Sequence, residues 1–352
     1  MNTGGGNILF CMKKIIIPFL FALSVLCHAK SGQETPEWVL NYESVYPASK
    51  YIAQKGTGKK ADEAKLNAIA NISFYFNTNV NAKREVNFKS YETSDGKKTK
   101  VQTVQDVERK TYVDTDTSLK AMEFTEPWKN KKDKTWHCVA YIKRETLWNE
   151  YEPVLRVAKD NFAGFYDEAQ KSSEPLEKIR LLAMAKEQGY DFLDKISYAQ
   201  FLSESLTNAN YSEDIALLSS LNSLIQKVKN QTQLFITVNN DSGNMIYSTV
   251  TQILTDNGFV VTKDRSNIAY KVDVRANLEN FTDDDLIVFS PSVNIEFIGK
   301  NGAAWSYSKD CGKVKVYTKN AGVKKSIQSI KTELDSSFNE EFNSAVNGIN
   351  KK

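Results

Sequence analysis

The sequence predicts an α+β fold in three successive parts: a helix packed on an antiparallel sheet, a helical region, and a C-terminal α/β unit with a long terminal helix. Three observations predict it. Ala61, Ala64, Ala68, Ile72, Phe76 and Val80 recur every three or four residues, the period of one helix face. Stretches such as 136–142 and 270–278 are short and rich in β-branched and aromatic residues, as strands are. Between them, from Trp148 to Lys229, the helical period runs on with hardly a strand signal.

Taken in order, the first element is a leader. Met12-Lys13-Lys14 gives a positive start, Ile15 to Cys27 an apolar run, and Cys27-His28-Ala29 places small residues three before and one before a cut. That order is a secretory signal, with cleavage between Ala29 and Lys30. The apolar run is shorter than the roughly 20 residues that span a bilayer. Residues 1–11 play no part in the signal, so Met12 is the expected start. Cys27 opens a second outcome, lipidation at that thiol, for which Leu23 and the run Ser24 to Leu26 suit a relaxed lipobox. Either way the expected address is the periplasm or the periplasmic face of the outer membrane.

Residues 30–145 form the expected first domain. Residues 36–56 read as an approach segment and 61–80 as a helix whose alanines let it sit close to a sheet. Val86 and Phe88 alternate with polar residues, Asp95-Gly96 marks a hairpin turn, and Val101, Thr103 and Gln105 run back. Leu119 to Phe124 and Trp136 to Ile142 are further strands. Residues 146–230 form the helical region, with helices over 148–169, from Pro175 to about Gly189, over 191–209 and over 212–229. Residues 231–352 form the last domain. Leu234 to Val238 is a strand, Ser242 caps a helix closed by Asn257-Gly258, and six further strands follow up to Tyr317. The terminal helix carries the stripe Val323, Ile327, Ile330, Leu334, Phe338, Phe342, Val346, expected to be core.

Pro36-Glu37-Trp38-Val39, Tyr46-Pro47, Tyr51 and Gly56-Thr57-Gly58, followed by Ala61, Ala64, Ala68 and Ile72, resemble the LPP20-type bacterial envelope lipoproteins. The resemblance covers about residues 35–145, with Trp136 to Ile142 as the late strand. The part from Gln233 onward is similar, in strand–helix–strand order alone, to small α/β modules of periplasmic assembly factors. Both resemblances imply surface or periplasmic assembly roles and bring no catalytic residues with them.

The chemistry legible in the residues is sparse. Removing Lys13 and Lys14 from the 46 basic residues leaves them nearly balanced by 43 acidic ones, so no overall basic field points to nucleic acid. Gly56-Thr57-Gly58-Lys59-Lys60-Ala61 matches a dinucleotide loop. Residues 50–55 are too polar for the buried strand such a loop follows, so the stretch reads as a flexible helix entry. His137 alone supports neither a triad nor a multi-histidine metal site. Cys138 and Cys311 lie in different expected domains, and two free thiols are expected over a disulfide. Asp283-Asp284-Asp285 lacks calcium-loop spacing and reads as a solvated turn.

The function expected is therefore that of a non-catalytic exported envelope protein with a structural, assembly or interaction role. It has no cofactor and no metal, and its partners are envelope proteins, with the outer membrane reached through a lipid or with peptidoglycan. The alternative is a periplasmic ligand- or peptidoglycan-binding module using Trp128, Trp136 and Trp305 as exposed aromatics. An envelope hydrolase comes third.

Overall fold

The computed structural model describes residues 34–95 and 121–347. Two short helices, α1 (Glu37–Leu40) and α2 (Tyr42–Val45), lead into a strand, β1 (Tyr51–Gly58). This corrects the expected approach segment and flexible glycine entry. β1 is antiparallel to β4 (Trp136–Lys143), with Tyr51 opposite Lys143 and Gly58 opposite Trp136. A stretch this polar serves as a strand because it is an edge with one strongly covered face. Ile52 and Gly56 are buried, while Lys55 sends its ammonium to the Val39 carbonyl at 2.7 Å. On the other side of β4, β2 (Glu123–Phe124) and β3 (Trp128–Lys129) complete a four-stranded antiparallel sheet.

Helix α3 (Ala61–Asp95) lies on that sheet at very short range. A Cβ on Gly56 would fall 2.1 Å from the Ala68 nitrogen and 2.2 Å from the Ala64 carbonyl oxygen. The glycines of β1 and the alanines of α3 are thus one packing device, backbone against backbone. The helix runs past Val80 to Asp95, so the strand expected around Val86 and Phe88 is helical. The other half of that hairpin, Gly96 and 101–105, lies outside the described residues. The error has a physical source: beyond Val80 the inward stripe turns polar. Arg84 and Asn87 face the central helices, where Arg84 pairs with Asp194 at 2.7 Å and Asn87 bonds Ser197 at 2.9 Å.

The central region consists of α4 (Arg144–Lys171) and a long kinked element, α5 (Pro175–Gln231). Pro175 opens α5 as expected. Gly189 does not end it, because Leu218 packs where a side chain at 189 would sit, 2.2 Å from its Cβ position. The break falls at Ser203 instead, with φ −155° and ψ 101°, and the two arms fold back on each other. Two carbonyls released there, of Phe201 and Leu202, accept from the guanidinium of Arg144.

The C-terminal sheet has the order β10-β8-β7-β5-β6, with β9 also on β8. Its strands are β5 (Gln233–Asn239), β6 (Val260–Val261), β7 (Tyr270–Asp283), β8 (Leu286–Gly299), β9 (Gly302–Asp310) and β10 (Val314–Val316). β5 is parallel to β6 and β7, and the other pairings are antiparallel. The two strands expected over 286–289 and 293–298 are one, running through Pro291. The Pro291 carbonyl accepts from Cys311, in the gap between β9 and β10, so the missing N–H of proline also faces that gap and breaks no ladder. Helix α6 (Met245–Asp256) is capped by Asp241, not Ser242. The Asp241 carboxylate accepts from the backbone of Ile246 at 3.1 Å and of Tyr247 at 2.8 Å.

The terminal helix is α7 (Lys319–Glu333), a π turn (Leu334–Phe338) and α8 (Asn339–Val346). Ile327, Ile330, Leu334, Phe338, Phe342 and Val346 are buried, as the stripe predicted. Four successive steps of four residues overshoot the 3.6-residue period, and the wider π turn restores the phase. A single apolar cluster extends from Ile52 to Val346 through all three parts.

Candidate functional site

The start of α5 meets the edge of the C-terminal sheet at a cleft of about 600 Å³. Its floor is aromatic. Trp305 on β9 packs edge-on to Phe342 at 5.3 Å and to Phe297 at 5.5 Å, and Phe297 stacks on Phe342 at 5.2 Å. Ala303 and Val346 widen the apolar wall. The alternation along β9 and the stripe of the terminal helix bring these residues to one place.

The polar rim is built around Glu174, the residue before Pro175. One of its oxygens accepts from the Tyr270 hydroxyl at 3.2 Å, the other from the Asn301 amide at 2.7 Å. The Tyr270 oxygen in turn accepts from the Leu176 backbone at 3.1 Å, occupying one of the unpaired N–H groups of the helix start. Burial pushes the Tyr270 phenol up to about 12, and the nearby Glu174 carboxylate works in the same direction. Tyr270 therefore stays neutral at physiological pH. One turn on, Arg180 grips Glu177 with two bonds of 2.6 and 2.8 Å. Among the described residues β9 pairs with β8 alone, so its outer edge has no strand partner beside the cleft. This arrangement suits the seating of an extended segment, with an apolar side chain over Trp305.

The residues singled out from sequence are scattered. Cys27, Ala29 and Lys30 lie outside the described residues. Of the three tryptophans, Trp128 is buried rather than exposed, Trp136 is half-buried and Trp305 lines the cleft. His137 is half-buried beside Trp128 with ring centroids 5.8 Å apart, and its pKa is lowered by burial, then by Lys55. Cys138 and Cys311 are both free thiols. Burial, then Glu333 and Asp310, raises the Cys311 thiol to about 11. Asp283-Asp284-Asp285 forms the exposed tip of the β7–β8 hairpin, where Asp283 meets Lys315 at 3.6 Å. Among the described residues no three His, Cys, Asp or Glu side chains gather as a metal site, and no helix is long and apolar enough to cross a membrane. Sequence reasoning missed Glu174, Arg180, Tyr270 and Asn301. The Ser172-Ser173-Glu174-Pro175 break marked the first of these only as a helix start.

The fold and cleft define an α+β chain with an open sheet edge beside an apolar-walled recess. No protein-family model matches the chain, so the likeness to LPP20-type lipoproteins stands on its quoted residues alone. No curated protein matches it either. Among solved structures, a secreted protein of the human pathogen Helicobacter pylori is 13% identical, with a TM-score of 0.29, over 81% of this chain and 97% of that one. A minor lipoprotein of Acinetobacter baumannii is 10% identical, with a TM-score of 0.21, over 33% of this chain and 93% of that one. At these scores neither likeness carries an argument about fold or role.

Proposed function

We propose that this chain is an exported, non-catalytic protein of the bacterial cell envelope that works by holding a partner protein. Its address is supported by the leader, with Lys13-Lys14, the apolar run to Cys27 and the small residues before Lys30. The observation that carries the interaction role is the juxtaposition of the open β9 edge with the Trp305–Phe342 cleft. A strand of a partner added to β9 gains main-chain hydrogen bonds, and its alternate side chains reach the recess. A non-catalytic role is supported by the commitments of the cleft's acids: Glu174 serves Tyr270 and Asn301, and Glu177 serves Arg180.

Two measurements test this. Mass spectrometry of the mature chain should find Lys30 as the first residue or a lipid-modified Cys27; intact Met1 or Met12 in the cytoplasm ends the envelope reading. A photo-crosslinking residue at Ser344, on the cleft rim, should capture one defined envelope protein. The second reading, a peptidoglycan-binding module, draws on the half-buried Trp136 and Trp305. It takes over when no protein adduct forms and the mature chain is retained on purified peptidoglycan.

A further inference from the structure

The first sheet ends in a lysine-rich tip that the overall charge balance conceals. β1 finishes at Gly58 opposite Trp136, so the turn after β1 and the loop joining β3 to β4 project from the same end. They carry Lys59, Lys60, Lys129, Lys131, Lys132 and Lys134, all exposed. One acid lies within the loop and offsets one of these charges: Asp133, which accepts from the Thr135 backbone at 2.9 Å and from Asn130 at 3.0 Å. Asp62 and Glu63, on the first turn of α3, offset two more, Glu63 accepting from the Lys59 backbone at 2.8 Å, so six lysines face three carboxylates at this end. Half-buried Trp136 sits among the lysines, with the Lys129 ammonium 5.7 Å from its ring centre. Lysines around a tryptophan are the side chains that settle at a lipid headgroup layer.

We propose that the lysine tip is a membrane-docking surface for anionic phospholipid headgroups, which brings the Trp136 end of the first sheet to the bilayer. It rests on the export reading, but its test does not.

The mature chain starting at Lys30, which carries no lipid, is sedimented with vesicles of phosphatidylglycerol and phosphatidylethanolamine, and with vesicles of phosphatidylcholine alone. Binding should be confined to the anionic vesicles and weaken with added salt. The quadruple variant K129Q/K131Q/K132Q/K134Q should bind several hundredfold more weakly, about 600-fold, since each lysine at an anionic surface contributes roughly a fivefold gain. Its melting temperature should match the parent's, because these side chains are exposed. A control changing Lys315, Lys319, Lys324 and Lys325 to Gln, in the C-terminal part, should bind like the parent. Equal binding to phosphatidylcholine, undiminished binding by the tip variant, or equal weakening in the control overturns the docking surface. Those outcomes leave the export reading to be judged by the mature N-terminus.

Discussion

The guanidinium of Arg144, the first residue of α4, donates to the carbonyl of Leu202 at 3.2 Å, where α5 breaks. It also bonds the Phe201 carbonyl, and its Nε reaches the Ala48 carbonyl at 2.7 Å. Ser203 is extended, so the last carbonyls of the preceding helical arm have no partner within that helix. One arginine fork therefore ties the N-terminal segment, the start of α4 and the fold-back of α5 together.

Arg144→Ala should be strongly destabilising. It leaves two part-buried carbonyls, of Phe201 and Leu202, without this donor, each costing about 1–3 kcal/mol. Arg144→Lys should recover only a fraction, because an ammonium cannot reproduce the planar fork. Urea unfolding of the three proteins checks this; an alanine variant as stable as the parent refutes the bracing role.

Gly56→Ala should prevent native packing of α3, since the new Cβ would lie 2.1 Å from the Ala68 nitrogen. Gly164→Ala, in α4, meets nothing within 4 Å. It should stabilise by up to about 1 kcal/mol through helix propensity. Opposite signs in thermal melts are the expected result. Equal tolerance of both substitutions would show that β1 and α3 are not in backbone contact.

Phe338→Ala removes a fully buried ring that contacts Trp305 at 5.9 Å and Tyr307 at 5.3 Å. A loss of about 3–5 kcal/mol is expected. Phe74→Ala, at a position 74% exposed, should change stability by no more than about 0.5 kcal/mol. Calorimetry on both distinguishes a core role for the terminal helix from a docking role, in which Phe338→Ala would leave stability intact.

Asp273 gives a dependence on acid. Lys271, Thr237 and Arg275 bond its carboxylate and hold it at about 2. The folded-state value is thus below the unfolded one of about 3.9. This contribution to stability is full above about pH 4 and is lost as pH falls towards 2. Asp273→Asn should flatten the stability profile across that window and leave its shape at neutral pH unchanged. An unaltered acid limb would show that Asp273 is not linked to folding.

Legibility followed the range of the interactions. The stripe from Ile327 to Val346, the turn at Asn257-Gly258 and the strand at Trp136 were readable because each is written in neighbouring residues. The glycines at 56 and 58 were visible, but their role was not, since it lies in atoms of Ala64 and Ala68. The cleft escaped altogether: Glu174 finds Tyr270 at a separation of 96 residues and Asn301 at 127. No local pattern marks such a pair.

By itself the sequence determined the α+β class and the apolar faces, because the hydrophobic period is a property of contiguous chain. Tertiary structure alone decided three things. Residues 84–95 became helix, because Asp194 and Ser197 satisfy Arg84 and Asn87. The central helices fold back at Ser203, because Arg144 receives the freed carbonyls. The six lysines meet at one tip, because β1 and β4 pair in a register that puts Gly58 beside Trp136. In each case the partner that lowers the free energy lies far along the chain, where only folding can bring it.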